Sequence, residues 1–396
     1  MEEKMKRLLL AVIMTLVMAQ TAFAGDFLFG EETKGLKVKI SDDTDMTIRI
    51  RMQPRLDFGD LVKSEDGTSY ESESDMYLRR VRLELGGNLY KNLKYALVFE
   101  ADKNSKSSST IGSSPTNEVK IQMANIDYKF SDAFQSRFGK AKLPYSRVSL
   151  TSSSEQLLIE RPASTEAAKK LFDDYYQAHL LLHGRFAEGV LAYNLAAGDG
   201  WEPNSKLHTG VNVHRSGLLY IARVELSPPG WVEAKKSDAP LGKGRHLTAA
   251  INYAAQNGIE YAGGSPFEED RTLTGLDVSG HWNGLTGQFE YNTLEEESTD
   301  PARTEKKPRG WYAQAGYFIN GYNIEPALRY EEFDQDSEKD DMKEKTTTIG
   351  ANWYGKGHSF KVAFNWARTK YEESASGYLA DDDKKDVFQV QAQLYF

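Results

Sequence analysis

The C-terminal stretch DVFQVQAQLYF, Asp386 to Phe396, decides the fold. Phe388, Val390, Ala392, Leu394 and Phe396 share one parity, and Gln389, Gln391 and Gln393 the other. A period of two means a strand with one apolar and one polar face. The length suits the roughly 9–11 residues that a tilted strand needs to cross a bilayer core. A last strand must pair or remain a bare edge. The first long strand of the exported chain is the expected partner, and that pairing closes a barrel. The last strand of a soluble sandwich would alternate in the same way, so the other strands decide.

At the start of the chain, Lys4, Lys6 and Arg7 precede an apolar run from Leu8 to Met18 and then Ala22-Phe23-Ala24. Residues 1–24 read as a secretory signal peptide, with cleavage expected after Ala24. The run is shorter than the roughly 20 residues of a spanning helix. No comparable run recurs, so a mature chain in a membrane would cross it as strands. The 396 residues include no cysteine, so no disulfide supports the exported chain. The net charge of -9 argues against nucleic-acid binding. Low mean hydropathy argues against a helical membrane protein but not against a barrel with a polar lumen. No low-complexity linker divides the chain. The expected organisation is an N-terminal segment, 25–45, and one barrel domain, 46–396.

The cleanest alternation begins that domain. Met46, Ile48, Ile50, Met52 and Leu56 face one way, and Thr47, Arg49, Arg51, Gln53, Arg55 and Asp57 the other. Three arginines on one face cannot point at lipid, where each would cost several kcal/mol. In Tyr77 to Leu89, Val81, Leu83 and Leu85 oppose Arg80, Arg82 and Glu84; Arg79 breaks the pattern and is expected to snorkel at the membrane rim. Leu93 to Asp102 alternates in turn, and Glu118 to Phe130 slips parity near Asn125, as at a bulge. The rhythm continues through Phe134 to Leu143, Tyr176 to Arg185 and the later segments, giving about sixteen strands, an even number as in outer-membrane barrels.

Short turns at Trp282 to Leu285, Asn320-Gly321 and Gly355 to Gly357 alternate with long polar loops at Leu294 to Pro308, Glu332 to Lys345 and Thr369 to Lys385. Gly59 to Asp75 and Lys103 to Asn117 are further polar stretches expected as loops. This alternation gathers the long loops on one side, as in outer-membrane barrels, whereas a soluble sandwich has no reason to sort them. One connection departs. Ser227 to Arg245 falls where a short turn belongs, and is either a periplasmic insertion or an unrecognised strand pair. The expected fold is all-β: a transmembrane antiparallel β-barrel of about sixteen strands with long external loops.

Several segments carry a family resemblance: YLRRVRLELGG (Tyr77 to Gly87), RFGKAKLPYSRVSLTSSSEQLLIERP (Arg137 to Pro162), YNLAAGDG (Tyr193 to Gly200), GQFEYNTLE (Gly287 to Glu295) and EPALRYEEF (Glu325 to Phe333). In this order they resemble the phosphate-selective porin O and P family over nearly the whole mature chain. The terminal strand ending in Phe396 is also similar to the assembly signal of bacterial outer-membrane barrels. The resemblance implies a sixteen-stranded barrel, a homotrimer and a long third loop, Pro144 to Asp173, folded into the lumen.

The candidate anion-binding and pore-lining residues begin with the inward arginines Arg49, Arg51, Arg55, Arg80 and Arg82. Lys140 and Lys142 lie just before the third loop, and Arg147, Arg161, Lys169 and Lys170 within it. Guanidinium groups take phosphate or sulfate oxygens in bidentate fashion. A row of weak sites passes an anion onward, since conduction needs binding that is easily left. The alternative is that the arginines pair with Glu84, Glu100 and Asp102 and brace the wall. Asp277, Glu290 and Glu325 on polar parity suggest a field across the pore. His179 and His183 stand about 13 Å apart along a strand, too far to chelate one metal. Trp311, Tyr317, Tyr322, Tyr330, Trp353, Trp366 and Phe396 lie on lipid-side parity, where those near strand ends form interfacial girdles.

The leading expectation is an outer-membrane porin for passive diffusion of small solutes, anions such as phosphate foremost. The alternatives are a non-selective general porin, or a barrel whose external loops serve binding or adhesion. An enzyme is not expected: the run Thr151 to Ser154 has no histidine near it in sequence and no nucleophile motif surrounds it. Neither a cofactor nor a metal is expected. The expected partners are small anions, outer-membrane lipid and further copies of the chain.

Overall fold

The computed structural model describes residues 35–111, 118–203, 212–233, 235–262, 266–300 and 305–396. The signal-peptide expectation for residues 1–24 lies outside them. Eighteen strands among the described residues form one sheet. In chain order these are β1 (Leu36–Lys39), β2 (Asp45–Lys63), β3 (Tyr70–Leu89), β4 (Leu93–Asn104), β5 (Val119–Lys129), β6 (Gln135–Lys142), β7 (Tyr176–Phe186), β8 (Leu191–Gly198) and β9 (Asn212–Arg215). There follow β10 (Leu219–Leu226), β11 (Arg245–Ala262), β12 (Phe267–Trp282), β13 (Leu285–Ser298), β14 (Arg309–Tyr317), β15 (Ile324–Asp334), β16 (Lys343–Lys356), β17 (Phe360–Tyr371) and β18 (Lys384–Tyr395).

Sixteen of the strands, all but the short β1 and β9, close an antiparallel barrel. Closure is the expected one: β18 pairs with β2, from Val387 opposite Gly59 to Tyr395 opposite Arg51. Phe396 completes it, its amide donating to the Ile50 carbonyl at 3.0 Å and its carbonyl accepting from the Ile50 amide at 2.7 Å. Where the chain terminus leaves the lower part of β2 uncovered, β1 takes over, with Leu36 opposite Ile48 and Lys39 opposite Asp45. A closed ladder satisfies every strand edge, which a bilayer core requires.

The period-two reading holds in β2. Arg51, Gln53, Arg55 and Asp57 are buried inside the barrel, and Ile50 faces outward. Three expectations are corrected. Gly59 to Asp75 is largely strand, for β2 and β3 run on past the membrane and leave only residues 64–69 as a turn. Residues 71–74 of β3 are exposed on both faces while Leu61 of β2 stays buried, so the apolar alternation fades on one strand of the pair while the backbone ladder continues. Arg79 does not snorkel. It is the extra residue of a bulge, since Gln53 opposes Arg80 but Pro54 opposes Leu78, and its guanidinium turns to Asp102. Pro54 has no amide to give the ladder, which suits a break there. The slip in β5 falls at Gln122, between Ile121 opposite Phe99 and Met123 opposite Val98, and not near Asn125.

Among its described residues, Ser227 to Arg245 contains no strand pair and is an insertion on the short-turn side. Within the barrel, the loop after β6 packs Leu143, Tyr145, Leu171 and Phe172 against inward residues of β7 and β10 to β13, among them Leu181, Leu219, Ile221 and Leu273. An apolar core therefore fills one side of the lumen.

Candidate functional site, the lumen constriction

The third loop is held inside the barrel by groups on several strands. After β6, Ser146 caps a short helix, Arg147–Leu150, its hydroxyl accepting from the Ser149 amide at 3.1 Å. The chain then crosses toward the opposite wall. Leu157 and Leu158 are buried with Ala327 of β15. The absent side chains of Gly316 and Gly350 make room for them: a Cβ at either position would stand 2.6 Å from a methyl carbon of Leu157 or Leu158. Wall side chains bond the loop's carbonyls, Asn352 to Leu157 at 2.7 Å, Lys361 to Gln156 at 3.1 Å and Gln393 to Ser154 at 3.3 Å. A second helix, Ala163–Leu171, then leads back; its Thr165 hydroxyl donates to Glu290 at 3.2 Å and the Ala163 amide to Glu331 at 2.7 Å.

This loop divides the lumen. On the long-loop side lies a chamber of about 290 Å³, lined by Arg55, Lys106, Glu160, Arg161, Arg329 and Lys385 among others. On the short-turn side lies one of about 840 Å³, roofed by Glu155. Among the described residues none lines both.

Arg51, Arg55, Arg80 and Arg82 stand buried inside the barrel, and most are partnered. Arg51 pairs with Glu84 at 2.8 Å, donates to the Ser153 hydroxyl at 3.1 Å and stacks on Tyr395. Arg55 pairs with Asp57 at 2.6 Å and with Glu160 of the third loop. Arg82 pairs with Glu100. The wall-brace alternative therefore accounts for Glu84 and Glu100, while Asp102 meets Arg79, outside the candidate set. A different group of cations has no carboxylate within ion-pair distance among the described residues. Arg80 donates to the Gln53 side chain at 3.2 Å. Lys142 donates to the carbonyls of Leu150 and Thr151 at 3.0 and 2.7 Å and stands in the field of Arg161, Arg82 and Arg51. Arg161 lies 4.8 Å from the Tyr175 ring centre, and its buried Nε has no hydrogen-bond partner among the described residues.

Three candidates are placed elsewhere. Arg147 lines no passage. It is buried and bidentate to Glu233, at 2.7 and 2.8 Å, in the insertion between β10 and β11. Burial opposes the Glu233 charge, but Arg147 holds that carboxyl below the usual carboxylate range. Lys140 shares the parity of the exposed Phe138 and sits opposite the exposed Ala178, so it belongs to the outer face. The reason is local: the fully buried Ala141 takes the inward position. Arg49 lies at the short-turn end of β2, opposite Glu84.

On the far wall Asp277, Glu290 and Glu325 do face inward, and Asp277 pairs with a buried Arg223. Arg223, Arg271 and Arg329 were not singled out from the sequence, although each occupies polar parity in its strand. His179 bonds the Gln177 carbonyl at 2.9 Å and His183 meets Asp127 at 3.2 Å. Among the described residues no group of three or more histidines and acids stands together as a metal site.

A closed sixteen-stranded barrel whose inward-folded loop leaves chambers on either side is the architecture of a membrane diffusion channel. The family model described as phosphate-selective porin O and P matches residues 48–396. The chain belongs to that family and is an outer-membrane porin. It is similar to an uncharacterised protein of Aquifex aeolicus, 37% identical over 92% of this chain and 91% of that one. It is also similar to Porin O of Pseudomonas aeruginosa, 24% identical over 81% of this chain and 71% of that one. Among solved structures, the anion-selective porin from Comamonas acidovorans matches with a TM-score of 0.61 and 14% identity, over 89% of this chain and 99% of that one.

Proposed function

We propose that the protein is a passive channel for small anions, with oxyanions of the phosphate class as its preferred solutes. The observation that carries this is the cationic lining of the long-loop chamber, Arg55, Lys106, Arg161, Arg329 and Lys385, of which Arg161 has no carboxylate within ion-pair distance among the described residues. Like charges gathered in a low-dielectric passage draw counter-ions and focus the field. The neighbouring Arg51, Arg55 and Arg82 keep their carboxylates, so an anion shares them with a competitor and is released readily. The name of the Comamonas acidovorans neighbour and that of the family favour anions. A solved OmpT of Vibrio cholerae, similar in fold, is described in a trimer form, and a homotrimer is the assembly we propose here.

The test is the zero-current potential of the reconstituted channel across a chloride gradient, with and without phosphate. An anion-selective potential and a chloride current blocked by low phosphate are expected, both weakened in the Lys142→Gln, Arg161→Gln double variant. A neutral or cation-selective potential without block would reduce the protein to a general diffusion pore.

A further inference from the structure

The connection from Ser227 to Gly244 lies on the side where other turns are short, yet it does not hang free. It leaves β10 with the Ser227 amide bonded to the Val190 carbonyl at 2.8 Å. It is anchored again at β11, where the Leu247 amide donates to the Trp231 carbonyl at 3.0 Å and Arg245 covers the Trp231 ring at 5.0 Å. Between these anchors the segment reaches the far side of the mouth. The Ala239 carbonyl meets His358 Nε2 at 2.9 Å, in the turn between β16 and β17. A Cβ added to Gly242 would stand 3.0 Å from the Phe318 ring, in the turn between β14 and β15. Asp238 and Ala239 are buried.

The same segment clasps the third loop from below. Arg147 binds Glu233 through both carboxylate oxygens and donates to the Ser237 carbonyl at 3.1 Å. The Thr151 hydroxyl donates to Asp238 at 3.3 Å, and the Asp238 amide to the Glu155 carbonyl at 3.1 Å. Lys235 pairs with Glu155. Arg147 Nε also stands 3.8 Å from Asp238; a buried arginine held by two carboxylates does not exchange them for water at low cost, so loop and segment move together or not at all.

We infer that residues 227–233 and 235–244 form a strap across the periplasmic mouth, a second constriction in series with the third loop, and that the Arg147 clasp sets the size of solute that passes. This rests on the reading of the lumen as a diffusion path. Removing one of two constrictions in series raises the conductance and widens the size cut-off.

The experiment compares the full chain with two variants. In one, residues 231–243 are replaced by Asn-Gly; the other is Glu233→Gln with Asp238→Asn. Barrel folding is checked by heat-modifiable gel mobility. Unit conductance is measured in potassium chloride, and liposome swelling with a pentose, a hexose and a disaccharide, neutral probes indifferent to anion preference. The shortened strap is expected to raise conductance and to admit the larger sugars, with the point variant shifted in the same direction. Unchanged conductance and cut-off in folded variants would overturn the strap while leaving the porin reading intact. No conductance in any of the three would overturn both.

Discussion

Replacing Leu157 and Leu158 together by alanine tests what pins the third loop. Both side chains are buried, against Gly316, Gly350 and Ala327. Fully burying a leucine is worth ~1.5–3 kcal/mol, so the pair contributes about 3–6 kcal/mol to docking. The three hydrogen bonds from Asn352, Lys361 and Gln393 remain, at about 0.5–1.5 kcal/mol each. The apolar contacts are therefore at least comparable with these three hydrogen bonds. Alanine retains only part of the burial, and each ~1.4 kcal/mol lost makes the undocked loop tenfold more frequent. Single-channel recording should show undocking as higher open-channel noise and brief excursions to larger conductance, with the barrel folded normally on a gel. Gly350→Val should do the same from the other side, because its Cβ would overlap Leu158 and overpacking costs about 1–3 kcal/mol. A quiet channel of native conductance in both variants would refute the apolar pin.

Other consequences are equally direct. Arg82→Ala strands a buried Glu100 and should destabilise the barrel by about 3–5 kcal/mol in denaturant titration, whereas Arg161→Gln strands no carboxylate and should leave the midpoint unchanged. Removing Phe396 deletes both of its backbone bonds to Ile50 and should lower the amount of folded protein in the outer membrane, read by surface proteolysis. Two groups at the strap's contact with the mouth, Asp238 in the strap and His358 in the turn it meets, titrate in opposition. Asp238 is pushed up to about 6, chiefly by burial, with Glu233 adding and Arg147 and Thr151 opposing. His358 is pushed down to about 4, by burial first and then Lys361, with Glu155 and the Ala239 carbonyl opposing. A raised carboxyl takes up its proton more readily in the closed strap, so acidification from about pH 7 to 5 tightens it through Asp238. A depressed histidine is neutral in the closed strap, so the same acidification loosens it through His358. The His358→Gln channel should therefore conduct less at the lower pH and the Asp238→Asn channel more; equal responses would show that the strap does not move.

The strand sequence, its parity and its closure were legible because each depends on neighbours along one strand or across one ladder. Arginines at alternate positions of β2 leave lipid no place on that face, and Val387 to Tyr395 needs an edge that only β2 offers. Loop sorting was legible for the same reason, since turn lengths are local. The partners of the lumen side chains were not. That Arg147 belongs to Glu233, while Arg161 has no carboxylate within ion-pair distance among the described residues, depends on how residues 144–174 fold inside the barrel and meet the strap at its mouth. Nothing periodic marks those contacts, which join groups 86 residues apart. The limit shows also at Lys140 and Arg79, where a buried Ala141 and a bulge beside Pro54 turn a side chain against the expected face. A strand's alternation states that a charge avoids lipid; which opposite charge it meets is settled only when the enclosed volume is filled, because in a low-dielectric interior each buried cation takes the carboxylate that packing brings within reach.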